Sequence, residues 1–333
     1  MTVNAQYRLA ARPVGLPKST DWQYTEEPAG QPGDGEFLVE LQYISLDPAM
    51  RGWINAQRSY IAPVEIGDVM RAAGTGTVIE SNNGRFPKGA AVQGLFGVQK
   101  YAVSDGTGVS TIDTSRAPAP MYLGTLGSSG FTAYFGLLDI GRPRPGQTIV
   151  VSAAAGAVGS VAGQIGKIMG CRVVGIAGGP GKCAFLVDEL GFDAAIDYKA
   201  GDLRAQLKEH TPDGVDVFFD NVGGEILDTV LTRITRGARV IISGAVSQYN
   251  SENGMRGPAN YMQLLVQRAS MTGFLVFDYV SRYPEAASEL SAWLAEGRLT
   301  SREHVVEGGI AAFPETLLGL FDGRNTGKLV LAV

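Results

Sequence analysis

Apolar residues recur along this chain in two rhythms. From 148 to about 280, short apolar, β-branched runs alternate with stretches in which apolar positions return every three or four residues. The runs predict strands over 148–152, 172–177, 194–197, 216–220, 239–244 and 271–277. The longer spacing predicts helices over 158–169, 181–190, 202–209, 223–234, 258–268 and 284–296. Parallel strands need long crossovers, so this alternation predicts a mainly parallel, doubly wound sheet. Before it, short runs at 37–44, 73–80, 90–96 and 99–103 are parted by turn residues such as Pro32-Gly33-Asp34-Gly35. They predict an antiparallel barrel or sandwich. Short β-like runs return at 304–307 and 328–331, around a helix-compatible 312–321. The last segment is expected to fold back onto the first. The domains are then 1–125 with 301–333, and 126–300 as an insertion between them.

Within the alternating part, 148–182 carries the densest signal: TIVVSAAAGAVGSVAGQIGKIMGCRVVGIAGGPGK. An apolar run enters a small-residue turn, which opens a helix with apolar Val158, Val161, Ile165 and Ile168; a second apolar run follows. A dinucleotide site needs this βαβ unit, because the pyrophosphate must lie on bare backbone N–H groups at a helix N-terminus. Gly156, Ala157, Val158 and Gly159 would form that cradle, and Gly163 would let the helix lie close to the sheet. Ala154 stands at the usual first glycine. A tight βα turn that binds nothing is the alternative reading of a bare G-x-x-G. An NAD site usually has Asp or Glu at the end of the second strand, for the ribose 2′-hydroxyl. Here Gly178-Gly179-Pro180-Gly181-Lys182 stands instead. A cation without a neighbouring acid suits a 2′-phosphate, so NADP(H) is the expected cofactor. The alternative is a solvated lysine on the next helix.

Composition narrows the chemistry further. Net charge is −5, which disfavours a nucleic-acid surface. No apolar stretch is long enough to span a membrane, and the N-terminus lacks a secretory h-region, so a cytoplasmic protein is expected. The two cysteines, twelve positions apart around the second strand of the βαβ unit, have no second ligand pair nearby, and with only two histidines the chain does not supply the three or four clustered ligands of a zinc site. No metal is expected, and Cys171 and Cys183 read as small packed residues. No G-x-S-x-G elbow and no P-loop is present, which leaves acyl and phosphoryl transfer without support.

Six segments, in order, carry a resemblance over nearly the whole chain. They are YISLDPAMR (43–51), LGSSGFTAYFGL (126–137), AAAGAVGS (153–160), FDNVGGE (219–225), SGAVSQYN (243–250) and NTGK (325–328). The sequence resembles the zinc-independent medium-chain dehydrogenase/reductases, and among them the NADPH-dependent alkenal, prostaglandin and curcumin double-bond reductases. The resemblance implies a GroES-like domain built from both chain ends, a Rossmann domain between them, a homodimer and NADPH. It implies that Gly156–Gly159 hold the pyrophosphate and that Lys182 and Tyr198 hold the 2′-phosphate end. Asn221, Ser243, Gly244, Ala245, Tyr249, Phe274, Leu275 and Val276 would line the cofactor, and Asn325 would reach it from the C-terminal segment. Tyr198 also reads as a core-edge tyrosine, and Asn221 as a turn residue.

The implied reaction is hydride transfer to the β-carbon of an enal or enone. The carbonyl oxygen gains negative charge, and a proton is then added at the α-carbon. Some relatives carry a Tyr eight positions before the residue matching Phe274; here that position is Val266. Tyr261, about a turn earlier on the predicted helix, is one catalytic candidate, and Tyr60 is another. Tyr249 is a further candidate that also faces the substrate in this reading. Met50, Tyr60 and Phe277 are expected to form an apolar substrate slot, with ordinary core packing as the alternative. Two other functions remain open: a quinone oxidoreductase of the same superfamily, and an NADP(H)-binding sensor without turnover.

Overall fold

The structure, a computed structural model, describes residues 2–57, 59–252 and 254–333. The chain begins with β1 (Val3–Leu9), β2 (Trp22–Pro28) and β3 (Phe37–Ser45), a short helix α1 (Met50–Trp53), then β4 (Ala73–Ser81), β5 (Ala91–Leu95), β6 (Tyr101–Ser104) and β7 (Ser110–Thr111). Next come α2 (Ser128–Phe135), β8 (Thr148–Ser152), α3 (Ala157–Ile168), β9 (Arg172–Ala177), α4 (Pro180–Ala184), β10 (Ala194–Asp197) and α5 (Leu203–His210). They are followed by β11 (Val215–Asp220), α6 (Gly224–Leu231), β12 (Ile234–Ile242), α7 (Met262–Gln267), β13 (Ser270–Gly273) and α8 (Tyr283–Ala295). The chain ends with β14 (Glu303–Val306), α9 (Phe313–Phe321) and β15 (Lys328–Ala332). Two compact units result: residues up to Leu123 together with Glu303–Val333, and Gly124–Arg302.

The first unit is a mixed sheet of the GroES-like type. Its order is β14-β15-β3-β4-β5-β7, with β6 also on β3; every pairing is antiparallel except β14 with β15. The C-terminal strand joins because Val330, Leu331 and Ala332 pair with Ser45, Ile44 and Tyr43. Its burial brings in a charge. Lys328 is 2% exposed. Its Nζ donates to the Leu46 carbonyl and pairs with the Asp47 carboxylate, which also accepts the Ser45 hydroxyl. β1 and β2 pair from Val3↔Pro28 to Leu9↔Trp22. The hydrophobic pattern did not announce them, since after Trp22 β2 shows no buried residue.

The second unit holds a six-stranded parallel sheet, β10-β9-β8-β11-β12-β13. The chain runs outward from β8 through β9 and β10, then restarts at β11 and runs outward through β12 and β13. β8 and β11 are thus neighbours at the switch point, where α/β sheets bind ligands beyond their strand ends. β8 is buried at every position, which explains its unbroken apolar run. On α3, a Cβ at Gly166 would lie 2.9 Å from Ile149 and Val173 of the sheet. A Cβ at Gly163 would lie 1.9 Å from the Phe192 ring, so that glycine clears an aromatic rather than a strand.

Several boundaries differ from the sequence pattern for local reasons. The 181–190 helix is α4 followed by a wide, π-type turn over Phe185–Glu189. α6 stops at Leu231 because Ile234 already pairs with Val215. β12 stops at Ile242 because the next two amides, Ser243 and Gly244, turn to the Asp220 carbonyl at 2.8 and 3.2 Å. β13 then ends opposite it, at Gly273, and Val276–Arg282 coils into a tight helix where a strand to 277 was expected. α7 spans only Met262–Gln267, so Tyr261 caps it instead of lying within it.

Candidate functional site

The turn after β8 is shaped by backbone. Ala153 takes a left-handed φ of 48°, which reverses the chain at once. Its carbonyl accepts the Gly156 amide at 2.9 Å, and Gly156 stands extended as the N-cap of α3. A Cβ at Gly159 would lie 2.5 Å from that carbonyl oxygen, so the third residue of the helix must be glycine. Among the described residues, no side-chain cap is found on α3. The first-turn amides of Ala157, Val158 and Gly159, left over by any helix, therefore face the end of the sheet with the positive pole of the dipole. This is an anion cradle of the sort a pyrophosphate needs.

Beside it, the ends of β8 and β11 are tied by three side chains. Asp220, wholly buried, accepts the Ser152 hydroxyl at 2.7 Å and the amides of Val222 and Gly223 at about 3 Å. Ser152 Oγ accepts the Asn221 amide, and Asn221 Nδ2 donates to the Ser152 carbonyl, each at 2.8 Å. Asn221 is thus fixed at the switch point by both main chain and side chain.

The next two strand ends open a cleft of about 510 Å³. Ser243, Gly244, Ala245, Tyr249, Phe274 and Leu275, all singled out from sequence, come together on its walls. Asp278, which sequence reasoning passed over, lines it too. Tyr249 folds back on its own loop: its hydroxyl accepts the Ala245 amide at 3.1 Å. The Phe274 ring fits against Gly136, where a Cβ would come within 2.6 Å, and meets Tyr279 edge-on. Tyr279 in turn stacks on Phe135 at 4.5 Å, and Arg282 lies over Phe135 while pairing with Asp139 and Glu285. Val276 opens the tight helix, and its carbonyl accepts the Tyr283 hydroxyl. Phe277 is exposed on the same turn.

At the far end of the sheet, β9 and β10 run in register, with Ala177 opposite Asp197. Gly178 and Gly179 therefore lie beside Tyr198 and Lys199. A Cβ at Gly178 would fall 2.9 Å from both the Tyr198 ring and Lys199 Cε. Lys182 sits close enough to Lys199 to feel it: burial first, and then the Lys199 charge, pull its ammonium pKa down. Lys199 is a second cation that the sequence pattern did not pick out. An acid is also present, contrary to the expectation from 178–182 alone. Asp197 reaches the turn from the neighbouring strand and accepts the amides of Gly179 and Lys199 at 2.8 and 2.9 Å. Tyr198 is half exposed and borders a second cleft of about 340 Å³.

Other expected residues stand elsewhere. Met50 is 0% exposed in the core of the first unit, among Trp22, Ile44 and Phe313. This placement assigns it to packing, in place of the slot expected from sequence. Asn325, also buried there, turns its amide to the Gly327 carbonyl at 2.8 Å. Tyr60, half exposed, accepts the Trp53 indole N–H at 3.0 Å, with Arg71 over the Trp53 ring. Tyr261 and Val266 both point to the surface of the second unit. Cys171 is buried, donates to the Arg144 carbonyl, and has its thiol pushed up to about 11, chiefly by burial. Among the described residues, no three of His, Cys, Asp and Glu gather as a metal site would need.

A GroES-like unit with a doubly wound parallel unit, and a glycine cradle at the switch point, is the architecture of medium-chain dehydrogenases. Residues 5–112 match the family described as the N-terminal domain of oxidoreductase, and 157–293 the family described as zinc-binding dehydrogenase. The chain is 40% identical to the NADPH-dependent curcumin reductase of Escherichia coli (strain K12), over 99% of this chain and 97% of that one. It is 38% identical to the NADP(+)-dependent 2-alkenal reductase of Nicotiana tabacum, over 99% and 97%. The crystal structure of CurA from Vibrio vulnificus in complex with NADPH superposes with a TM-score of 0.94, at 44% identity and 99% coverage of each chain. The chain belongs to the medium-chain dehydrogenase/reductase family, in the branch of the NADP-dependent double-bond reductases.

Proposed function

We propose that this protein is an NADPH-dependent reductase of the activated carbon–carbon double bond of α,β-unsaturated aldehydes and ketones, acting without a metal. The observation that carries the reading is the pairing of an uncapped α3 N-terminus with two neighbouring lysines, Lys182 on α4 after β9 and Lys199 just past β10. The first suits a pyrophosphate and the second a 2′-phosphate, which is the difference between NADPH and NADH. Ala157, Val158 and Gly159 would hold the pyrophosphate through their amides; Lys182, Lys199 and Tyr198 would hold the phosphate end. Asn221 and the walls formed by Ser243, Gly244, Ala245, Tyr249, Phe274 and Leu275 would orient the nicotinamide half. The bound cofactor supplies the hydride that adds to the substrate's β-carbon. The chain's part is to hold the β-carbon in line and to place donors toward the carbonyl oxygen, where charge develops. Tyr60 and Tyr261 are the phenols proposed for that work.

The relatives at about 40% identity favour alkenals and enones over quinones as substrates. NADPH oxidation with a panel of 2-alkenals, enones and quinones tests this. Turnover of quinones alone would replace the reading with a quinone oxidoreductase. Val266, where some relatives are expected to carry a tyrosine, favours a second reading, an NADP(H)-binding protein without turnover. Tight NADPH binding with no activity across the panel would establish it.

A homodimer belongs to this reading. β13 is the last strand of its sheet, and Met262, Leu265, Val266, Met271 and Val280 around it are exposed. An open edge flanked by apolar side chains suits a second copy of the same edge, because a two-fold axis makes the pairing antiparallel and self-complementary. No helix among the described residues is long and apolar enough to cross a membrane.

A further inference from the structure

Among the described residues that line the 510 Å³ cleft, Asp278 alone is charged. It is exposed, and its carboxylate has no hydrogen-bond or ion-pair partner among the described residues. Its main chain is held in place. The Asp278 amide donates to the Leu275 carbonyl at 3.1 Å, at the start of the tight helix Val276–Arg282. The next residue, Tyr279, stacks on Phe135 of α2 at 4.5 Å, and Arg282 closes the turn by pairing with Asp139 and Glu285. The Arg282 guanidinium is thus engaged by two other carboxylates, which leaves Asp278 uncompensated by its nearest cation in sequence.

The rest of the wall offers an anion little. The Ser243 and Gly244 amides go to the Asp220 carbonyl, and the Ala245 amide goes to the Tyr249 hydroxyl. Phe274 and Leu275 bring apolar side chains. Walls of this kind screen a fixed charge less than open water does, so one carboxylate weighs on whatever enters the cleft.

We propose that Asp278 is a specificity-determining residue: its carboxylate lets neutral and cationic enals and enones into the cleft and disfavours those that carry a carboxylate of their own. The inference rests on the double-bond reductase reading above. A substrate carboxylate brought into the cleft would shed water without a donor to replace it, and would meet a like charge. A neutral substrate bears neither cost. Discrimination of this kind needs no tighter contact with the favoured substrate, only a repulsive element against the other.

The test compares kcat/KM for two substrates at saturating NADPH: a linear, medium-chain enone whose far end carries a carboxylate, and its methyl ester. The two differ in size as well as charge, but that difference is common to wild type and variants and cancels between them. Asp278→Asn is expected to lower the ester-to-acid ratio about threefold or more, through a gain on the acid, the scale of one unit charge acting across a cleft. Asp278→Glu, which keeps the charge, is expected to hold the wild-type ratio within about twofold. An unchanged ratio in the Asn variant overturns the proposal. So does an equal fall in the Glu variant, because the effect would then follow shape and not charge. If the Asn variant does not fold, ionic strength decides on the wild type. Between about 0.01 and about 0.3 M salt the acid should gain on the ester as the charge is screened, and a level ratio overturns the proposal. A wild type that reduces the ester with an unaltered ratio in the Asn variant removes only this inference; one that reduces no enal or enone removes the reductase reading beneath it.

Discussion

Lys182 and Lys199 show what a single side chain contributes here. The Lys182 ammonium, whose proton affinity burial and the neighbouring Lys199 charge lower, gains most from an anion placed beside it. Lys182→Ala is expected to weaken NADPH binding by about ten- to a hundredfold, the worth of a charge-assisted contact, and NADH by less than about threefold. Isothermal titration of the two cofactors measures the difference; equal losses would remove the phosphate role. The same pair fixes a pH dependence. Lys182 binds its proton less firmly than an ordinary lysine, so its attraction for a phosphate is complete at low pH and fades as pH rises through that depressed value. NADPH affinity should therefore fall with rising pH before an ordinary lysine would titrate, and NADH affinity should stay level over the same range. Lys182 and the glycines were legible in the sequence, because spacing within one βαβ unit brings them together. Lys199 and Asp197 were not. They arrive at the turn only because β10 pairs with β9, a contact between residues about twenty positions apart.

Between elements, the clearest device is the tie from β15 to the loop after β3. Lys328 and Asp47 form an ion pair whose lysine end is almost wholly buried. Removing one member of such a pair strands the other, at a cost of about 3 kcal/mol. Lys328→Met should lower the unfolding free energy in urea by that order. Asp47→Asn added to it should restore part of the loss, since the stranded charge is gone. A double variant no more stable than Lys328→Met would contradict the pairing. Element ends follow a similar logic. The pattern identified the strands of the parallel sheet but extended 239–244 and 271–277 beyond their partners. A strand ends where its backbone finds another acceptor, and for Ser243 and Gly244 that acceptor is the Asp220 carbonyl. No local propensity encodes that choice.

For the molecule as a whole, the open edge at β13 sets the prediction. The wild type should sediment as a homodimer, and Met271→Asp should shift it toward monomer by placing a charge at the edge. A wild type that sediments as a monomer would remove the second copy from the reading. Activity and assembly should separate in this variant, because Met271 does not line the cleft.

Local sequence was enough to set the two kinds of sheet and the α3 cradle, and to raise the expectation of a phosphate-bearing dinucleotide. Each of these is written in local spacing: two residues for a strand, three to four for a helix, bare glycines where backbone must approach an anion. It also placed six residues that now share one cleft. Tertiary structure decided the rest. It buried Met50 in the core, turned Asn325 onto its own loop, brought Asp197 and Lys199 to the end of β9, and tied Asp220 at the end of β11 to Ser152 at the end of β8. These outcomes depend on which distant strands become neighbours. A side chain's partners and its exposure are properties of that pairing, not of the residues on either side of it in the chain.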